Sequence, residues 1–235
     1  MGFKESYMPK PLGDAQKKKK KEILNTRISP VDFESINDVG DLVESYGSAS
    51  IQARNLGQCA KIFGNMLQDE EKPTIILGLA GPLIAGGLRK IIRDMVHYNM
   101  VDVIVSTGAI LYQDYYNALG GGHYCGSPNA DDTQLRDLFI DRIYDTYVDD
   151  ELFVEDDTLV GRFADTLKPG NYSSRDFISR LSETIDDEDS ILFTARKNNV
   201  PVFSPAINDS SLGIGLTEHY YQARKEGHTP ITIDS

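Results

Sequence analysis

The sequence predicts an α/β fold in which a Rossmann-like, doubly wound and mostly parallel sheet is flanked by helices. Short runs that are apolar on both faces occur at residues 74–80, 101–105 and 200–203, as is typical of buried parallel strands. Segments with a helical spacing of apolar residues lie between these runs. Strands and helices that alternate at such lengths indicate βαβ units.

The N-terminal part is predicted to be a helical arm outside the sheet. Residues 1–28 are expected to be flexible and basic, because prolines and a glycine interrupt them and the charges of Lys17 to Lys21 repel one another. We interpret the lysine run as solvated, and a targeting signal or a contact for an anionic partner is the alternative. Helical spacing follows at 38–67, and residues 29–235 are predicted to form one α/β domain.

The remaining elements are predicted in chain order. Helices are expected at 83–98, 111–119, 131–143, 173–185, 187–199 and 216–226. Residues 149–157 hold six acids in nine positions and are expected to be solvated. A further strand begins at 231–233. Because a parallel strand needs a crossover connection to cover both faces, we expect it to be an edge strand, or a missing C-terminal segment to complete the sheet.

Composition excludes several classes of function. A nucleic-acid binder needs a basic face, whereas the net charge of −12 means that most of this surface repels phosphate. The two cysteines form neither a disulfide framework nor a zinc-binding spacing. No apolar run approaches the roughly 18 residues of a membrane span. We therefore expect a cytoplasmic protein that contacts neither membrane nor nucleic acid.

Small residues follow three of the predicted strands, at 78–87, 106–109 and 204–213. Ligands of open α/β sheets bind beyond the carboxyl ends of the strands. The first segment is a glycine-rich turn whose N–H groups could hold phosphates, although it lacks the G-x-G-x-x-G and Walker patterns. A tight packing turn is the alternative. Taken together, the three strand ends predict a nucleotide site.

Two single residues are further candidates. Asp209 comes just after a strand, where a carboxylate could bind ribose hydroxyls or a nicotinamide amide, and a helix N-cap is the alternative. His123 follows a triple glycine and could act in acid–base chemistry, or it is a surface residue without a function. The other histidines have no partner at a metal-binding spacing. No nucleophile elbow is present, so hydrolase chemistry has no support.

Several long motifs resemble the deoxyhypusine synthase family, most of all its bacterial-type branch. The resemblance runs from about Val31 to Ser235. It is carried by residues 96–109, 118–126, 135–145, 172–177 and 200–213, which include VDVIVSTGA, ALGGGHYCG and VPVFSPAINDSSLG.

The resemblance implies an NAD-dependent transferase that assembles as a tetramer with active sites at subunit interfaces. Such enzymes move the butylamine group of spermidine to a lysine of a translation initiation factor, through an imine on an active-site lysine. By position, the resemblance assigns cofactor contacts to Gly81, Pro82, Leu83, Ile84, Ala85, Thr107, Gly108, Ala109 and Asp209. It makes Gln113, Asp114 and His123 candidates for substrate binding, and it implies no metal.

This sequence departs from the family pattern in two respects. Gln113 and Ile214 occupy positions at which acidic residues of the family bind the polyamine. This difference favours a different amine substrate or a different mode of binding. The family's catalytic lysine lies in a C-terminal Gly-Gly-Gly-x-x-Lys motif that is not present in these 235 residues, so no lysine here is assigned that role.

Three interpretations follow from the resemblance. The first is the N-terminal portion of a deoxyhypusine synthase-like enzyme, whose catalytic lysine lies on a separate C-terminal segment. The second is an inactive regulatory subunit that pairs with an active paralogous subunit. The third is an enzyme that makes another polyamine, such as homospermidine. We favour the first.

Overall fold

The computed structural model describes residues 11–234, and the chain divides at Pro73 into two compact units. The first unit contains α1 (Asp14–Ile23), a 3₁₀ turn (Phe33–Ser35), α2 (Val39–Tyr46) and α3 (Ile51–Gln68). Helix α1 includes the lysine run, and all of its residues are exposed, so the run is solvated as expected. The prediction of flexibility for residues 1–28 stays a prediction, and residues 1–10 lie outside the described part.

Helices α2 and α3 account for the helical spacing at 38–67. The Asp38 side chain accepts a hydrogen bond from Asp41 N at 2.9 Å and so caps the start of α2. Residues 47–50 separate the two helices. A side chain at Gly57 would collide with the Gly47 backbone, so a glycine lets α3 pack closely against the end of α2.

The second unit holds all the strands of the described residues. They are β1 (Ile76–Leu79), β2 (Val103–Ser106), β3 (Tyr124–Cys125), β4 (Ile140–Ile143), β5 (Thr146–Asp149), β6 (Asn171–Ser173), β7 (Val202–Phe203) and β8 (Thr232–Asp234). The helices are α4 (Arg89–His97), α5 (Gly108–Ala118), α6 (Asp132–Asp137), α7 (Asp150–Thr166), α8 (Ser174–Leu181), α9 (Ile191–Lys197) and α10 (Ser211–Glu226). Among the described residues, no helix is both long and apolar enough to cross a membrane.

The three strands predicted from apolar runs form one parallel sheet in the order β1-β2-β7. Ile76 lies opposite Val103, and Ile104 lies opposite Val202. Helix α5 leaves the end of the central strand and packs against α7, α9 and α10. Residues 110–116 of α5 are all buried, which makes this helix the centre of the unit's core.

The middle of the chain differs from the prediction. The helix expected at 131–143 ends at Asp137, and residues 140–143 form β4, which pairs antiparallel with β5 while β3 pairs with the other edge of β5. Phe139 and Tyr144 have φ angles of 54° and 58°. Such left-handed conformations end the helix and turn the hairpin, and bulky residues give no sequence signal for them.

The acidic stretch 149–157 was wrongly expected to be solvated throughout. Asp149 caps α7 by accepting hydrogen bonds from Glu151 N and Leu152 N, and the acids that follow lie near the positive end of the helix dipole. Further along α7, Asp156 is buried. The stretch therefore forms the start of α7, and its second turn includes the buried Asp156.

Strand β8 does not join the three-stranded sheet. It pairs in parallel with β6, where Tyr172 lies opposite Ile233. His219 on α10 holds the segment before β8 in place. Its Nε2 accepts a hydrogen bond from Ile231 N at 3.0 Å, and its Nδ1 lies 2.6 Å from Asp165 Oδ1 on α7. The predicted strand at 231–233 thus exists, and the described part of the chain supplies its partner.

Candidate functional site

The ends of two strands in the parallel sheet come into direct contact. Thr107 N, just after β2, donates a hydrogen bond to Leu79 O at 3.2 Å, which ties it to the end of β1. A side chain at Gly108 would collide with Ser210 and crowd the carbonyl of Ile207. Glycine is therefore required at the start of α5, because the segment that follows β7 packs directly against this position.

The glycine-rich segment after β1 is a turn rather than the start of a helix. Gly81 and Gly87 both have φ angles of 81°, and a side chain at either would point into open space. Helix α4 begins only at Arg89, so the predicted helix start at residue 83 was wrong. Ala85 N donates a hydrogen bond to Gln113 Oε1 at 3.3 Å, and this bond joins the turn to α5.

These segments combine buried apolar anchors with exposed backbone and an exposed hydroxyl. Pro82, Thr107 and Ala109 are exposed, whereas Ile84 is buried and Leu83 half-buried. The segment 81–85 is thus anchored by apolar side chains while its backbone lies at the surface. An exposed hydroxyl and the N-terminus of α5 follow the adjacent strand, and helix N-termini favour phosphate groups.

Asp209 lies in the third strand-end segment with an exposed side chain. Its backbone N–H donates to Ala206 O at 3.0 Å. The alternative of an N-cap is wrong, because Ser210 occupies the N-cap position of α10 and its hydroxyl donates to Ile207 O. The carboxylate is therefore free to meet a ligand at this edge of the sheet.

Asp114 is held inside the core. Its side chain is fully buried, and its oxygens accept hydrogen bonds from Arg89 Nε at 2.7 Å, Ser190 Oγ at 2.8 Å, Ile191 N at 3.1 Å and Leu192 N at 2.9 Å. The carboxylate joins α4 to the first turn of α9. With its oxygens occupied in this way, Asp114 acts on the site through the helices it positions.

His123 lies half-buried beyond the C-terminus of α5. Its ring stands edge-on to Tyr116 with 5.9 Å between the ring centroids. Neither ring nitrogen has a hydrogen-bond partner within residues 11–234. Burial lowers the pKa of His123, and the charge of Arg89 lowers it further. The lowered pKa favours the neutral imidazole, whose two nitrogens are buried.

Sequence reasoning missed two acidic residues on α7. Asp156 is 6% exposed, and burial together with the charge of Asp157 raises its pKa to about 7. Burial also raises the pKa of Asp157 to about 6, with a contribution from the charge of Glu218. The helical spacing of Phe153, Val160 and the residues between them would have placed these acids on the inner face.

The parallel sheet and the helices that follow its strands define an α/β protein. A family model for deoxyhypusine synthase matches residues 41–235. The chain therefore belongs to the deoxyhypusine synthase family.

Curated relatives agree with this assignment. A deoxyhypusine synthase-like protein of Chlorobaculum parvum is 45% identical over 205 residues, which cover 85% of this chain and 57% of the relative. One of Coxiella burnetii is 41% identical over 222 residues, which cover 92% of this chain and 62% of the relative. The chain thus spans about three fifths of the length of these relatives.

A crystal structure described as a deoxyhypusine synthase from Entamoeba histolytica has a similar fold. Its TM-score is 0.62 at 23% identity, over 88% of this chain and 71% of that one. The fold of α helices with small, mostly parallel sheets is therefore shared with that protein.

Proposed function

We propose that this chain is the N-terminal part of a deoxyhypusine synthase-like enzyme. The reaction is the NAD-dependent transfer of the butylamine group of spermidine to a lysine of a translation initiation factor. The observation that carries this proposal is the close packing of Gly108 against Ser210. It brings two of the three strand-end segments, 106–109 and 204–213, into contact in a chain of this family. Such a constellation fits a dinucleotide.

Different residues of this chain are proposed to bind NAD and the amine substrate. Residues 81–85 and 107–109 hold the phosphates of NAD through backbone N–H groups and a helix N-terminus, and Asp209 accepts hydrogen bonds from the cofactor. When bound, NAD accepts the two electrons that the oxidation of an amine releases. Gln113 orients the turn through Ala85, and His123 meets the amine substrate as a neutral imidazole.

The catalytic lysine is proposed to lie outside these 235 residues. This is consistent with relatives that are longer than the matched region. The segment that carries the lysine, or a paralogous subunit, would extend the β1-β2-β7 sheet into a Rossmann-like, doubly wound sheet. We propose a cytoplasmic homo- or heterotetramer as the active form.

The exposed Ile214 favours a second candidate function. It is 58% exposed on α10 and cannot pair with an ammonium group. An enzyme that makes a polyamine such as homospermidine, with a small amine as acceptor, is therefore the alternative. Product analysis with labelled spermidine, with and without the acceptor protein, distinguishes label on a protein lysine from label in a small amine.

The proposed cofactor site is tested by Asp209→Ala. We expect NAD binding to weaken by about 1–3 kcal/mol, because the variant leaves a polar group of the cofactor unpaired. Isothermal titration of NAD measures this change. Asp186→Ala removes another exposed acid and should leave the affinity unchanged. Equal affinities of the wild type and the Asp209 variant would refute the assignment.

A further inference from the structure

A cavity of about 220 Å³ lies between α8, α9 and the segment that enters β7. One part of its lining is apolar and includes the buried side chains of Ile178, Leu192 and Val202. Two arginines line it as well, Arg175 from the first turn of α8 and Arg196 from the last turn of α9. The cavity thus combines an apolar surface with two guanidinium groups.

The charge of this lining differs from that of the chain as a whole. The sequence has 36 acidic residues against 24 lysines and arginines, yet no acidic residue lines the cavity. Neither Arg175 nor Arg196 forms an ion pair within residues 11–234, whereas the adjacent Lys197 pairs with Glu188 at 3.9 Å. The positive charge of the cavity is therefore uncompensated in the described part of the chain.

Aromatic rings hold both guanidinium groups in place. Arg175 Cζ lies 5.9 Å from the ring centre of Phe203, and Arg196 Cζ lies 5.5 Å from that of Phe193. Phe193 is buried and Phe203 belongs to β7, so the core and the sheet fix both rings. A ring attracts a guanidinium through its π face, and this contact occupies none of the five N–H donors. The two side chains are thus positioned with their donors available.

Two uncharged polar side chains add to the lining. The Ser179 hydroxyl and the Asn199 amide have no hydrogen-bond partner within residues 11–234, and both residues are exposed. The neighbouring Ser182 hydroxyl, by contrast, donates to Ser179 O at 2.6 Å. Ser179 and Asn199 therefore each offer a further O–H or N–H donor at the cavity.

These groups suit a small organic anion. Guanidinium groups form charge-assisted hydrogen bonds, often two in parallel, with carboxylate and phosphate oxygens. Two of them match a doubly charged anion, and the apolar side chains match a short carbon skeleton. The volume is below the roughly 300–1,000 Å³ of sites for drug-sized ligands, so the ligand must be small. A metal ion or an amine is disfavoured, because both arginines would repel it.

We propose that this cavity binds a small organic dianion through Arg175 and Arg196. Phosphate monoesters and dicarboxylates share the required chemistry, and separate titrations distinguish them. The residues assigned to NAD, which are 81–85, 107–109 and Asp209, do not line the cavity. The inference therefore goes beyond the proposed function and does not depend on it.

The test is a calorimetric titration of the full chain at pH 8 and low salt with phenyl phosphate and, separately, with glutarate. Phenol is the neutral control. We expect one equivalent of at least one dianion to bind and phenol not to bind. Binding of phenyl phosphate alone assigns a phosphate monoester, and binding of glutarate alone assigns a dicarboxylate.

Three variants locate the bound anion. Arg175→Gln and Arg196→Gln should each weaken binding at least fivefold, because each removes a charge-assisted pair. Ser179→Leu fills part of the cavity from an exposed position of α8 and should weaken binding by a similar factor while both arginines remain. Arg224→Gln is the matched control, since Arg224 is likewise exposed and lies 5.7 Å from the Tyr220 ring. It should change the affinity less than twofold.

Several results would overturn the inference. These are the absence of binding of both dianions, equal binding of phenol and phenyl phosphate, or an equal loss of affinity in the Arg224 variant. Unchanged affinity in Ser179→Leu would place the anion outside the cavity, and competition by NAD would place it in the cofactor segments. A further contrary result is self-association of the wild type that Arg175→Gln abolishes in sedimentation experiments, because the anion would then be a side chain of a second copy.

Discussion

Asp114 and Asp209 show how burial decides the role of an acid. Both were candidates from sequence, Asp209 because it comes just after a strand and Asp114 because of the family resemblance. Asp114 is fully buried and holds Arg89 and the start of α9, whereas Asp209 is exposed at the edge of the sheet. The sequence could not separate them, because neither helical spacing nor motif position reports the partners of a carboxylate. The same limit concealed Asp156 within a run of acids.

The structural role of Asp114 predicts a large loss of stability. Asp114→Ala leaves the half-buried Arg89 guanidinium without one of its carboxylates and removes the acceptor at the start of α9. We expect the free energy of unfolding to fall by about 3–5 kcal/mol, measured by urea denaturation. Asp94→Ala removes a surface ion pair with Arg93 and should cost about 0–1 kcal/mol. Similar losses in the two variants would contradict this role.

Asp156 predicts an unusual pH dependence of stability. Its pKa is raised to about 7 in the folded protein, from an ordinary value of 3.8. The unfolded chain therefore releases this proton at lower pH than the folded one, so this residue makes the protein less stable as the pH rises from about 4 to about 7. Thermal unfolding of the wild type and of Asp156→Asn across that range measures the effect. As the pH rises over this range, the stability of Asp156→Asn relative to the wild type should increase. A difference in stability that does not change with pH would refute the pKa shift.

At the scale of elements, the strands of the parallel sheet were predictable, whereas the antiparallel strands and the glycine-rich turn were not. Runs that are apolar on both faces identified β1, β2 and β7, because parallel strands are buried on both sides. The antiparallel strands β3, β4 and β5 have two to four residues, too few to show a period. The start of α4 was misplaced because the turn at 81–87 continues the apolar pattern of the helix. Glycine conformation, rather than hydrophobicity, sets that boundary.

The contact between two strand ends predicts the effect of a single methyl group. In Gly108→Ala the added Cβ would collide with Ser210, so the segment after β7 must shift. We expect loss of NAD binding and about 1–3 kcal/mol of destabilisation. Gly78→Ala in β1 meets no atom within 4 Å and serves as the matched control, with unchanged binding. Unaltered NAD affinity in Gly108→Ala would show that the cofactor binds elsewhere.

At the scale of the molecule, the sequence predicted the family and the α/β class, and both are confirmed by the family match and the similar fold. The pairing of the last strand was less predictable. Strand β8 joins β6, a three-residue strand whose last residue, Ser173, is the N-cap of α8. So short a strand shows no apolar pattern of its own. Long-range pairing of such short strands depends on packing that a local pattern does not encode.

The three-stranded sheet also bears on catalysis. In the proposed function, the segments after β1, β2 and β7 provide the cofactor contacts. The covalent step is proposed to take place on a lysine elsewhere in the enzyme.

The most direct test labels that lysine. The natively purified enzyme is incubated with NAD and spermidine labelled in its butylamine portion, the imine is reduced with borohydride, and the labelled peptide is sequenced by mass spectrometry. The account predicts label on a lysine outside these 235 residues, dependent on NAD and weakened by Asp209→Ala. Label on a lysine within this sequence would contradict it.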